Sequence, residues 1–127
     1  MPERGDELSG LSILGLAHIG DAVYELMVRT WLCKNGSSTA KKLHSGAVSM
    51  VSAKAQATAA QRILPCLNEG EQAVFKRGRN AHVGSVPQGS THEQYHTATG
   101  LEALLGYLYL SGNKERLDEL FEMMVKG

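Results

Sequence analysis

Cysteine is nearly missing from this sequence: Cys33 and Cys66 are the only two in 127 residues. They form at most one pair and lack metal-ligand spacing. That excludes a disulfide scaffold and leaves two buried thiols in a reducing compartment as the expectation. Long apolar runs are missing too. No stretch approaches the roughly 20 apolar residues of a membrane span. Residues 1–9 are polar and acidic, so neither export nor insertion is signalled, and the expected setting is cytoplasmic with no membrane partner. Proline is scarce, at three residues, and there are no Gly/Ser or single-residue tracts, which argues against a disordered chain. With 43% hydrophobic and 20% charged residues, the composition is that of a globular protein. The length fits one domain over 1–127 with one core.

Net charge is also missing, since the formal total is zero. Its distribution is uneven. Residues 29–82 hold nine basic side chains against two acidic ones, Glu69 and Glu71, a local balance of +7 that the rest of the chain cancels. A basic middle between acidic flanks suggests a polyanion partner, and solvated helix faces are the plainer source of the same pattern.

No segment alternates at period two for long enough to make a strand, so the expected fold class is all-α. Leu16, Ile19, Val23, Leu26 and Met27 recur at helical steps and predict a core-facing helix to about Cys33, ended by Asn35 and Gly36. A short helix is expected from Thr39. A longer one follows through "AVSMVSAKAQATAAQRIL", with Val48, Val51, Ala55 and Ala59 on one face and Pro65 as its stop. Asn68 and Glu71 have the spacing of a capping box that opens a helix through "EQAVFKRGRN". Residues 83–92, "VGSVPQGSTH", read as a loop, and His92 and His96 as loop residues without ligand-like spacing. A helix is predicted from Thr97, with Leu101, Leu104, Leu105 and Leu108 on one side, then a last one carrying Leu117, Leu120, Phe121 and Met124.

On the first helix His18, Asp21, Glu25 and Arg29 form one polar stripe, in which Glu25 and Arg29 are an expected surface pair. Asp21 differs. Ala17, Tyr24 and Val28 flank it, and a carboxylate in apolar company needs a cation or donors. Glu102 repeats the arrangement on the penultimate helix, between Thr99 and Gly106. Glycines at 20, 100 and 106 each cost about 1 kcal/mol of helix propensity, which close helix contact would offset. If the two helices cross near Gly20 and Gly106, the two carboxylates converge and either share a proton or hold a cation. Oxygen donors without neighbouring Cys or His suit Mg²⁺ or Mn²⁺ better than zinc.

These residues carry a resemblance. "HIGDAVYELMVR" resembles the Leu-Gly-Asp signature helix of the ribonuclease III family, and "LEALLGYLYL" resembles its second acidic helix, in order and about 80 residues apart. "VSAKAQA", "KRGRNA" and the short length resemble the reduced bacterial branch called Mini-ribonuclease III. The resemblance implies a ribonuclease III endonuclease-domain helical bundle: dimeric, Mg²⁺-dependent (Mn²⁺ as a substitute), and cleaving double-stranded RNA. The branch is linked to maturation of large-subunit (23S) ribosomal RNA, so precursor ribosomal RNA and a ribosomal-protein helper are implied partners. Since the sequence stops at Gly127, no separate double-stranded-RNA-binding domain is expected.

By the same resemblance Asp21 and Glu102 are the catalytic metal ligands. Lys76, Arg77, Arg79, Asn80 and His82 are the first candidates to hold the RNA backbone, with Lys54 and Gln56 second. The plain alternative for the cluster is a solvated helix end whose cations complement the helix dipole. His18 stands where the family often puts an aromatic that plugs into the partner subunit. Two positions depart from the wider family: Ala17 and Thr99 replace an expected glutamate and aspartate, leaving two of four acids and an open metal count. A catalytically silent RNA-binding scaffold of the same fold is therefore the rival reading. A protein-interaction module is a third, which accounts for the helices but not for the acid pair.

Overall fold

The structure, a computed structural model, describes residues 11–36, 39–81 and 89–126. Six α-helices follow one another among these residues, and no strand is present there. They are α1 (Ile13–Lys34), α2 (Ala40–Val51), α3 (Ala53–Ile63), α4 (Glu69–Arg79), α5 (His92–Leu110) and α6 (Lys114–Lys126). A 3-10 turn, Leu64–Cys66, carries Pro65 and ends the run of α3, as the missing amide of proline requires.

Helix α5 is the centre of the fold. It packs on α1, α3, α4 and α6, and its Leu101, Leu104 and Leu105 are wholly buried. Each such leucine stabilises the fold by about 1.5–3 kcal/mol relative to exposure. Ile63 of α3, Val28 and Tyr24 of α1 and Leu120 of α6 are among the residues that join them in the main cluster. Tyr24 meets Phe121 edge-on with ring centroids 6.2 Å apart, and its hydroxyl donates to the Met50 carbonyl at 3.1 Å. One aromatic side chain thus ties α1 to both α2 and α6.

The crossing of α1 and α5 is closer than any side chain allows. A Cβ on Gly20 would fall 1.6 Å from the Glu102 carbonyl oxygen, and one on Gly106 would fall 2.0 Å from that of Leu16. The crossing expected near these two glycines is therefore present. Gly78 of α4 approaches α5 in the same way, with its virtual Cβ 2.9 Å from the Cα of Gly100.

Several expectations are corrected. The long helix through "AVSMVSAKAQATAAQRIL" is two helices, because Ser52 leaves helical geometry (ψ 154°) and its hydroxyl accepts from the Ala55 amide at 3.1 Å, capping α3. The break resets the phase, so the buried face of α3 is Gln56, Ala59, Ala60 and Ile63, and Val48 is 54% exposed. Helix α5 starts at His92, not near Thr97: Thr91 and Gln94 form a reciprocal capping box, which puts His92 and His96 on the helix. Both cysteines are exposed. Cys33 lies in the last turn of α1 and Cys66 in the surface 3-10 turn. Leu26, read as core, is 66% exposed, since Leu16, Gly20, Tyr24 and Val28 form the inward stripe of α1.

Candidate active site

Asp21 follows Gly20 on α1 and Glu102 lies on α5 at the same crossing, so the close approach of the two backbones sets the spacing of the two acids. Both line a cleft of about 430 Å³, together with Ser52, Lys54, Gln56 and Tyr95. Asp21 is exposed at the rim, and the apolar company read for it belongs to the adjoining buried stripe. Glu102 is the more enclosed of the two.

The electrostatics follow from that placement. Burial pushes the Glu102 carboxyl from 4.5 up to about 8, helped by repulsion from the Asp21 carboxylate and a hydrogen bond with it. Opposing this, Gln56 Nε2 donates to Glu102 Oε2 at 3.3 Å. The same nitrogen donates to the Val51 carbonyl at 2.9 Å. Gln56 Oε1 is buried and has no hydrogen-bond partner among the described residues, a condition that costs about 1–3 kcal/mol.

A hard divalent cation fits these residues. Two converging carboxylates, one of them held off ionisation by its surroundings, form a site that a cation would relieve, and the donors are oxygens. Among the described residues no group of three or more His, Cys, Asp or Glu side chains could hold a metal ion. Ala17 is buried without a donor, and Thr99 is 5% exposed with its hydroxyl donating to the Tyr95 carbonyl at 3.0 Å. The two replaced acids therefore have no substitute at their own positions.

The remaining candidates fall in different places. Lys76, Arg77 and Arg79 are exposed in the last turn of α4, and Asn80 is its C-cap. Gly78 seats that turn against Thr99 and Gly100 of α5, one helical turn from Glu102. Lys54 is exposed and lines the cleft. Gln56, expected as an outer RNA contact, is instead 3% exposed beneath the acid pair. Its step from Ala59, Ala60 and Ile63 is the signal that could have placed it inward. His82 lies outside the described residues. His18 is exposed on the outer side of α1, where Leu14 and Leu26 are 40% and 66% exposed. Glu25 and Arg29 make their pair at 3.4 Å on the surface.

Comparison with known proteins adds to this geometry. The family model described as Ribonuclease III domain matches residues 14–113. The chain is 46% identical to a Mini-ribonuclease 3 of Thermoanaerobacter sp. (strain X514) over 116 residues, covering 91% of this chain and 82% of that one. It is 40% identical to a Mini-ribonuclease 3 of Clostridium tetani over 120 residues, covering 94% and 80%. The crystal structure of protein FN1578 from Fusobacterium nucleatum superposes with a TM-score of 0.83 at 31% identity, covering 91% of this chain and 93% of that one. The chain belongs to the ribonuclease III family, in its Mini-ribonuclease 3 branch, and is an endoribonuclease of the ribonuclease III type.

Proposed function

We propose that this endoribonuclease cleaves double-stranded RNA with Mg²⁺, or Mn²⁺ in its place, at a site made by Asp21 and Glu102, and that its substrate is precursor large-subunit (23S) ribosomal RNA. The observation that carries the reading is the meeting of the two carboxylates at the Gly20–Gly106 crossing, in a cleft with Lys54 at its edge. When bound, a divalent cation supplies Lewis-acid charge stabilisation and makes water a nucleophile near neutral pH. Asp21 and Glu102 are the residues that would hold it, through their carboxylate oxygens. Lys54 faces the phosphate at the cleft. Lys76, Arg77 and Arg79, with Asn80 and His82, grip the backbone beyond it, positioning a duplex without reading its sequence.

The described helices share a continuous core around α5, which supports 1–127 acting as a single catalytic domain. His18, Leu14 and Leu26 on the outer side of α1 support a homodimer, which doubles the grip and places one cutting site on each strand. A monomer at micromolar concentration in sedimentation would overturn that part. The ribosomal precursor, a ribosomal-protein helper and a cytoplasmic setting rest on the family resemblance. No helix among the described residues is long and apolar enough to cross a membrane.

Asp21→Asn and Glu102→Gln are expected to abolish cleavage of a long RNA duplex in Mg²⁺, as EDTA does for the wild type, with fold and RNA binding retained. Full activity in both variants overturns the reading. Duplex binding by the wild type without cleavage favours the silent scaffold.

A further inference from the structure

We propose that Gln56 is a positioning residue for the acid pair: its amide holds the Glu102 carboxylate in the orientation that meets Asp21. The inference rests on the cation site proposed above, and it assigns a role to a side chain that was expected to lie on an outer RNA-contacting surface.

The geometry is a lock. An amide nitrogen has two hydrogens, and both are used, one on the Val51 carbonyl at 2.9 Å and one on Glu102 Oε2 at 3.3 Å. The carbonyl only accepts, so the amide cannot turn over without setting oxygen against oxygen. Val51 in turn is fixed by the break at Ser52, which ends α2 and starts α3. Glu102 is thereby tied, through a side chain 46 residues away in sequence, to the backbone carbonyl of Val51.

Packing gives no reason for an amide here. Gln56 shares the buried face of α3 with Ala59, Ala60 and Ile63, where an apolar side chain would complete the row. Its Oε1 is buried and has no partner among the described residues, a condition that packing alone would select against. Beside Glu102, Asp21 shares a hydrogen bond with it but is itself exposed, Ala17 has no side-chain donor, and the Thr99 hydroxyl is engaged with Tyr95. In a site with two acids, the orientation of each carboxylate counts for more, and residues that orient metal ligands typically change metal affinity or activity about 10–100-fold when replaced.

The test uses Gln56→Met, which keeps length and volume, with Gln56→Leu as a second variant in case the first does not fold. Mn²⁺ binding is measured without RNA by electron paramagnetic resonance, with Asp21→Asn as the reference for loss of the site. The proposal expects a folded variant whose melting temperature in EDTA does not fall below that of the wild type, whose Mn²⁺ dissociation constant rises about tenfold or more, and whose kcat on duplex RNA falls while KM stays within about twofold. Wild-type Mn²⁺ affinity and kcat in a folded variant overturn it. A lower melting temperature with unchanged Mn²⁺ affinity also overturns it, because that marks a structural role only. If the wild type and Asp21→Asn bind Mn²⁺ alike, the cation site itself fails and the inference falls with it.

Discussion

Glu71 and Glu102 are both drawn out of water, and their surroundings are opposite. Glu71 is 3% exposed in the first turn of α4. Arg116 of α6 donates to both of its oxygens at 2.8 Å, and the Asn68 amide donates to Oε1 at 3.0 Å. The guanidinium holds the Glu71 carboxyl below the usual carboxylate range. Among the described residues no cation forms an ion pair with Glu102. It faces a second carboxylate, has one amide donor, and is pushed up to about 8. The first environment completes a charge and fastens α4 to α6. The second keeps a carboxyl largely protonated near neutral pH at a cleft, the kind of perturbed acid on which the proposed cation site rests.

The strongest break of this contrast is at the helix crossing. Gly106→Ala sets a methyl group 2.0 Å from the Leu16 carbonyl oxygen. Backbone faces backbone there, so overpacking should cost about 3 kcal/mol, at the top of its usual range, and separate Asp21 from Glu102. Thermal melting and cleavage should fall together. Cleavage retained at wild-type rate would show that the crossing does not set the acid pair.

Next is the structural acid. Arg116→Met strands Glu71 without its counter-ion and should cost about 3 kcal/mol, the low end for breaking a buried pair, because Arg116 is 20% exposed. Glu102→Gln should leave stability unchanged or raise it. Denaturant unfolding of the two variants checks this; equal losses would erase the distinction.

The pH dependence should also run in opposite directions. Glu102 has a raised folded pKa, so the stability it contributes is present below its ordinary 4.5 and is lost as pH rises toward about 8. Glu71 has a lowered one, so its contribution is present above 4.5 and is lost as pH falls through its folded pKa. In EDTA the wild type should soften between about pH 5 and 8, and Glu102→Gln should not. The same softening in Glu102→Gln would assign it to another group.

The smallest effect concerns the exposed cations at the end of α4. Replacing Arg77 and Arg79 by alanine should leave stability alone and weaken duplex RNA binding. The slope of log affinity against log salt should fall by roughly one for each phosphate that the protein no longer neutralises. An unchanged slope would mean that these side chains do not meet phosphate.

How much of this could be read from the sequence depends on the range over which each feature is encoded. The α4 capping box is written in four adjacent positions, Asn68 to Glu71, and is present as expected. The crossing of α1 and α5 was legible because only glycine permits it, at 20 and at 106. The break at Ser52 was masked by apolar residues that keep a helical rhythm across it, and phase continuity then misplaced Val48, while the resemblance put Gln56 among the RNA contacts. The start of α5 was hidden because its first turn, His92 to Tyr95, has no apolar periodicity, although Thr91 and Gln94 had capping spacing. Glu71 and Arg116 are 45 residues apart, and no local pattern links them. Gln56 touching Glu102 is of the same kind: a tertiary contact between helices, visible only once they are packed.

A crystal of the protein soaked in Mn²⁺ tests the central claim most directly, through anomalous scattering at the metal edge. The account predicts one strong peak in contact with oxygens of both Asp21 and Glu102. A peak elsewhere, with those two carboxyl groups bonded only to each other, would contradict it.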